Sequence, residues 1–234
     1  MTETARLLLL SNSALYGSGY LDHAEAEIRD LMGGVRQVLF FPFALREHDV
    51  YYSKVAERLI SMGLEVSSVH RVPDPRAAVE SAEAIFIGGG NTFRLLKALY
   101  DHDLLEPIER RVEEGNVCYM GASAGANVAC PTIRTTNDMP IVEPPSLRAL
   151  GLVPFQINPH YADSHPNSTL MAESRDERLM QFLEENEIPV VALREGAMLR
   201  IEQGRVMLKG VAGARIFRRG ETVREVCPGS QLQL

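Results

Sequence analysis

Four stretches in the first half of the chain are apolar at nearly every position: Leu7–Leu10, Gln37–Phe41, Ala84–Ile87 and residues 117–120. None alternates apolar with polar, so each reads as a strand buried on both faces, the pattern of a parallel sheet covered by helices. Residues 64–69 add a further strand. Between the strands, apolar positions recur at helical spacing over 24–32, 50–62, 93–99 and 107–114. Gly33-Gly34 and Gly63 supply C-terminal stops, and Pro75 opens a short helix through residue 80. Strand and helix in alternation predict an α/β fold with a mostly parallel sheet and helices on both faces.

The second half is organised differently. Residues 130–145 form a long polar loop containing Arg134, Asn137 and Asp138. A strand over 155–158 leads into Pro159-His160, a charged amphipathic helix covers 175–186, and a strand over 190–193 leads into Arg194-Glu195-Gly196. From Ala197 onward, short segments separated by Gly204, Gly210, Gly213 and Gly220 read as antiparallel hairpins closing the sheet. There is no internal repeat, low-complexity segment or linker, so one domain over residues 1–234 is expected.

Composition narrows the function. The 234 residues are 45% hydrophobic and 24% charged, ordinary for a globular protein with one full-sized core. A net charge of −7 and no basic cluster argue against nucleic acid as a partner. The same balance means that an acidic substrate would need a cation supplied locally. The three cysteines, Cys118, Cys130 and Cys227, are an odd number without close spacing, which predicts a reducing, cytoplasmic compartment. The polar start and the short run at Leu7–Leu10 fit neither a signal peptide nor a membrane span.

The candidate chemistry centres on Gly121-Ala122-Ser123-Ala124-Gly125, which follows a predicted strand and precedes a small-residue segment able to start a helix. That layout is a nucleophile elbow, and the N–H of Ala124 would face a developing oxyanion. Gly88-Gly89-Gly90-Asn91-Thr92 ends another strand, where consecutive backbone N–H groups can meet a ligand. Asn91 or Thr92 would cap the helix that follows. Parallel sheets bind ligands at the carboxyl ends of their strands, and both segments lie there. A serine nucleophile needs a base. Of the six histidines, His23, His48 and His102 read as solvated, His70 ends an earlier strand and His165 lies in a Ser/Pro/Asn loop. His160 alone follows an apolar strand after the elbow. For the carboxylate that orients it, Asp138 and Glu195 are equally compatible with the spacing.

The segment Cys130-Pro131-Thr132-Ile133-Arg134-Thr135-Thr136-Asn137-Asp138-Met139-Pro140-Ile141-Val142 closely resembles the signature loop of the peptidase E (α-aspartyl dipeptidase) family. The glycine loop, the elbow with Ala126-Asn127, Gln156-Ile157-Asn158-Pro159-His160, Phe41-Pro42-Phe43-Ala44 and His70-Arg71-Val72 resemble it too. The resemblance runs from about Leu7 to Gly196 and is weak beyond. It implies a flavodoxin-like fold related to class I glutamine amidotransferases, which carry a cysteine where this chain has Ser123. It implies a serine hydrolase acting on small Asp-X peptides without metal or cofactor. Ser123 and His160 match the family's nucleophile and base, Asp138 an aspartate held essential, and Glu195 the carboxylate of the amidotransferase-like order.

The expected oxyanion donors are Ala124 and one of Gly89 and Gly90. Arg134 is expected to read the aspartate side chain, with Thr135, Asn91 and Asn137 as further substrate contacts. A homodimer is left open, and no membrane partner is expected. Two other readings share these residues: an amidase or cyanophycinase-like exopeptidase, and a non-catalytic module that binds a small anion at the glycine loop.

Overall fold

The structure is a computed structural model and describes residues 4–163 and 173–234. Five strands build its parallel part: β1 (Leu7–Leu10), β2 (Gln37–Phe41), β3 (Glu65–Ser68), β4 (Ala84–Ile87) and β5 (Cys118–Ala122). Helices α1 (Glu25–Met32), α2 (His48–Ser61), α3 (Pro75–Ser81), α4 (Thr92–Asp101) and α5 (Leu105–Glu113) connect them, and α6 (Ala124–Val128) follows β5 directly. Strands β6 (Gln156–Tyr161) and β7 (Val190–Arg194) flank α7 (Arg175–Glu185). The chain then runs through β8 (Ala197–Glu202), β9 (Arg205–Gly210), β10 (Ala214–Phe217), β11 (Arg224–Val226) and β12 (Gln231–Leu232).

Among the described residues these strands form two sheets. The first has eight strands in the order β12-β9-β8-β1-β5-β4-β2-β3, with β1 to β5 parallel and β8, β9 and β12 antiparallel beyond them. Because successive strand side chains point to opposite faces, the apolar runs split cleanly. Leu7, Leu9, Phe41, Ile85, Ile87 and Tyr119 pack on the side of α4, α5 and α6, while Leu8, Leu10, Phe40, Phe86 and Met120 pack on the side of α1 and α2.

The second sheet departs from the single closed sheet expected from the sequence. Strands β11-β10-β7-β6 form their own four-stranded sheet, with β6 parallel to β7. The reason is that β6 and β7 have two apolar faces of their own to bury. Ile157, Val191 and Leu193 join the main core, whereas Tyr161, Val190 and Ala192 pack with Leu179 and Leu183 of α7. Of the glycine-punctuated tail, the β8–β9 hairpin and β12 extend the first sheet, and β10 and β11 extend the second. The second sheet therefore brings the end of β6 beside the carboxyl ends of β1, β4 and β5.

Candidate active site

Ser123 sits between the last residue of β5 and the first of α6 with φ 53° and ψ −107°. A non-glycine residue held in such a region costs about 1–3 kcal/mol and survives only where its surroundings force it. Here the forcing is steric. A Cβ on Gly121 would lie 2.4 Å from the Gly125 carbonyl oxygen, and one on Gly125 would lie 2.0 Å from that of Ile87, so α6 closes onto β4 and β5 only with glycine at both positions. The Tyr119 hydroxyl donates to the Gly125 carbonyl at 2.7 Å, the Ser123 N–H donates to Leu10 O at 2.9 Å, and the Asn127 N–H donates to Ser123 O at 2.9 Å. The glycine loop meets the elbow directly: a Cβ on Gly89 would stand 3.1 Å from that of Ser123.

His160 comes from the second sheet. It lies in β6 at φ 51°, where the pairing with β7 slips between Asn158 and Tyr161. A bulge of this kind re-aims a side chain, and the imidazole is turned to Ser123. Its Nε2 is 2.9 Å from Ser123 Oγ and its Nδ1 is 2.9 Å from Glu195 Oε1, in the turn between β7 and β8. A carboxylate can only accept, so Nδ1 carries the proton and Nε2 is left as acceptor for the serine hydroxyl. The His160 and Glu195 side chains are 42% and 57% exposed, which leaves the ring open to water.

Two polar residues at the end of β1 hold this arrangement. Ser11 Oγ accepts from the His160 N–H at 2.9 Å and donates to the Leu193 carbonyl at 2.8 Å. Asn12 Oδ1 accepts from the Gly196 N–H at 2.8 Å, fixing the turn that carries Glu195. The sequence reading passed over both. A Ser-Asn-Ser run at the carboxyl end of an apolar strand was their available signal.

The other carboxylate has a different place. Asp138 is not on His160. It accepts from the N–H of Thr92 at 2.7 Å, from the Thr92 hydroxyl at 2.6 Å and from the Thr136 hydroxyl at 3.2 Å. It thus ties the polar loop to the start of α4, immediately after the glycine loop. Asn91 caps the same helix by accepting from the Arg94 N–H at 3.0 Å, and donates to Met139 O at 2.9 Å.

Two of the expected substrate contacts are taken up by the framework. Thr135 is buried, and its hydroxyl donates to Ile157 O at 2.8 Å, which makes it a strut between loop and β6. Asn137 donates to Pro159 O at 2.6 Å and accepts from Asn158 Nδ2 at 2.7 Å and from Arg175 Nη1 at 2.6 Å. Arg134 is exposed on the loop. Arg175, which the sequence reading did not single out, is half-buried at the start of α7, and burial pulls its pKa below the ordinary arginine value. Neither arginine forms an ion pair among the described residues.

The remaining histidines are partly corrected. His48 is half-buried between Phe43 and His70, at ring separations of 5.5 and 5.4 Å, and burial followed by the His70 charge lowers its pKa. His23 is half-buried as well, and burial lowers its pKa. His102 is exposed but stacks on Phe43 at 5.2 Å. His165 lies outside the described residues. Among the described residues no group of three or more His, Cys, Asp and Glu side chains is placed to hold a metal ion, and no helix is long and apolar enough to cross a membrane.

A cavity of about 370 Å³ opens beside Ser123 and His160, with Gly89, Gly90, Leu45, Tyr51 and Lys54 among its walls. Tyr51 is buried, which raises its hydroxyl pKa, against the opposing effects of the Tyr20 hydroxyl and the Gly89 N–H directed at it.

The chain is similar to known proteins. The chain is 53% identical over 226 residues to a Streptomyces coelicolor protein named peptidase E, covering 97% of this chain and 93% of that one. It is 45% identical over 234 residues to a Drosophila melanogaster protein named "Probable alpha-aspartyl dipeptidase", covering 99% and 98%. Among solved structures, a peptidase from an acI-B1 Actinobacterium superposes with a TM-score of 0.70 at 16% identity, covering 98% of this chain and 97% of that one. A Listeria monocytogenes EGD-e protein superposes with 0.67 at 23%, covering 89% and 99%. Those two likenesses bear on the fold, which is flavodoxin-like. The model of peptidase family S51 matches residues 7–209, a span that includes the elbow, the glycine loop, His160 and Glu195, and this chain belongs to that family.

Proposed function

We propose that this enzyme is a serine-type dipeptidase that releases N-terminal aspartate from Asp-X peptides. The observation that carries the reading is one imidazole with Ser123 Oγ and Glu195 Oε1 each 2.9 Å from its two nitrogens. Ser123 attacks the aspartyl carbonyl as His160 Nε2 takes its proton, with Glu195 holding the ring in the required tautomer. The N–H of Ala124 and that of Gly89 or Gly90 face the oxyanion. His160 then protonates the leaving amine, and water brought in on the open side of the ring clears the aspartyl ester. Asp138 acts at one remove, by anchoring the loop to the start of α4.

An acidic protein must supply its own cation to accept aspartate. Among the described residues neither Arg134 nor Arg175 has a carboxylate partner. Arg175 has the better support: it is half-buried, no carboxylate among the described residues compensates its charge, and Asn137 links it to the carbonyl next to His160. We assign the side-chain carboxylate to Arg175 and keep Arg134 as the alternative. We also read the compartment as cytoplasmic and reducing, since Cys118, Cys130 and Cys227 are all unpaired.

A fluorophosphonate probe should label Ser123, and kcat/KM should fall steeply from Asp- to Asn- and Glu-p-nitroanilide. Equal turnover of the three would overturn the aspartate reading. Absence of label with full activity would overturn the serine mechanism. Release of aspartate from β-aspartyl but not α-aspartyl peptides would favour the cyanophycinase-like alternative.

A further inference from the structure

The cavity beside Ser123 is unlike the other side of the site. Val50, Tyr51 and Lys54 of α2 line it with Glu47, the residue that precedes the helix, and their spacing of three, four and seven puts them along one face of its first turns. Leu45 and Tyr20 add to the apolar wall. Lys54 is the cation in this lining. Its ammonium stands 4.7 Å from the Tyr20 ring centroid, and it has no ion-pair partner among the described residues. Glu47 likewise has no ion-pair partner among the described residues, but it lies about two helical turns away, about 10 Å along the axis at 1.5 Å per residue, too far to neutralise Lys54. Arg134, Asn137, Asp138 and Arg175 are absent from this cavity.

A dipeptide laid across Ser123 puts one residue on each side of the attacked carbonyl. The acyl residue is constant and acidic, whereas the leaving residue brings a variable side chain and a free carboxylate. Apolar walls with a single unpaired ammonium match the second description. We propose that Lys54 pairs with the terminal carboxylate of the leaving residue while Leu45, Val50 and Tyr51 pack on its side chain. This rests on the peptidase reading above and gives it a length rule. The carboxylate reaches Lys54 only when the peptide ends at its second residue.

The test compares Asp-Leu with Asp-Leu-amide, which differ at that one charge, by chromatographic measurement of kcat/KM. Wild type should favour the free acid by about tenfold, the scale of one charge-assisted hydrogen bond. Lys54→Met keeps the alkyl contact with Tyr20 and should bring the ratio close to one, while Lys54→Arg should retain most of it. Salt should erode the wild-type preference and leave the Lys54→Met ratio alone. An unchanged ratio in Lys54→Met overturns the proposal. So does a change in the Asp-Leu over Asn-Leu preference instead, because Lys54 would then read the acyl side chain. Wild-type protein that cleaves neither peptide would point to failure of the peptidase reading itself, and this inference would fall with it.

Discussion

Ser11 and His160 are 149 positions apart in sequence and joined by a 2.9 Å hydrogen bond from the histidine N–H to the serine hydroxyl. The same hydroxyl donates to Leu193 O, so one buried side chain bridges β1 of the first sheet and both β6 and β7 of the second. The backbone position of His160 is thereby set from the strand that neighbours the one leading into Ser123.

Ser11→Ala should remove that bridge. It leaves the His160 N–H and the Leu193 carbonyl without the hydroxyl, at a cost of about 1–3 kcal/mol. The urea midpoint should drop with an unchanged m-value, and kcat should fall about tenfold with little change in KM, since the loss is of alignment. An unaltered kcat would show that the bulge at Asn158–Tyr161 aims His160 unaided.

Ser123→Ala should lower kcat by roughly 10⁴-fold and abolish labelling by a fluorophosphonate, leaving only oxyanion and binding effects. The strained backbone at φ 53° is held by its glycine neighbours, so the variant should melt within a few degrees of wild type. EDTA should leave wild-type activity intact.

Glu195→Gln and Asp138→Asn should separate cleanly. Glu195 touches His160 and is largely exposed, so its variant should lose about 10³- to 10⁴-fold in kcat with the melting temperature kept. Asp138 accepts from the first turn of α4, and losing such a cap costs about 0.5–2 kcal/mol. Asp138→Asn should therefore lower the melting temperature by about 2–4 °C per kcal/mol. Its activity loss should be recovered in part by cooling or by stabilising osmolyte. A full loss of kcat in a stable Asp138→Asn protein would return the orienting role to that residue.

Arg175→Ala should reduce kcat/KM for Asp-p-nitroanilide by about 30-fold to several thousand-fold, the cost of stranding one member of a desolvated charge pair, and should reduce Asn-p-nitroanilide turnover far less. Arg134→Ala should do so more weakly. The reverse ranking would reassign the carboxylate to Arg134, and equal losses on both substrates would make either arginine a prop for the loop.

Gly125→Ala should fail to fold, because its Cβ would be forced to 2.0 Å from a backbone oxygen of β4 that cannot move aside. Gly204→Ala is the control. That glycine also has positive φ, at 71°, but its Cβ would meet open space. The cost there should be only about 1–2 kcal/mol.

The readability of the chain follows the range of the interactions involved. Leu7–Leu10, Ala84–Ile87 and the elbow strand were legible because burial on both faces writes itself into consecutive residues. The elbow was legible because two glycines and a serine at fixed spacing are a local necessity. The second sheet was not legible, since β6 and β7 are apolar strands like the others and nothing local says which sheet they join. Asp138 and Glu195 could not be told apart for the same reason: their roles lie in partners 46 and 35 positions away. Ser11, Lys54 and Arg175 read as ordinary polar residues until the fold sets them beside Ser123, His160 and Asn137.

With Ser123 on one sheet and His160 on the other, the hydroxyl–imidazole contact is a gauge of the seam between them. Sliding one sheet past the other by an ångström stretches a 2.9 Å hydrogen bond out of range while leaving every ladder within each sheet intact. On the serine mechanism proposed above, catalytic competence requires the two sheets to be docked as well as formed. On heating, it should vanish before circular dichroism registers any loss of strand or helix.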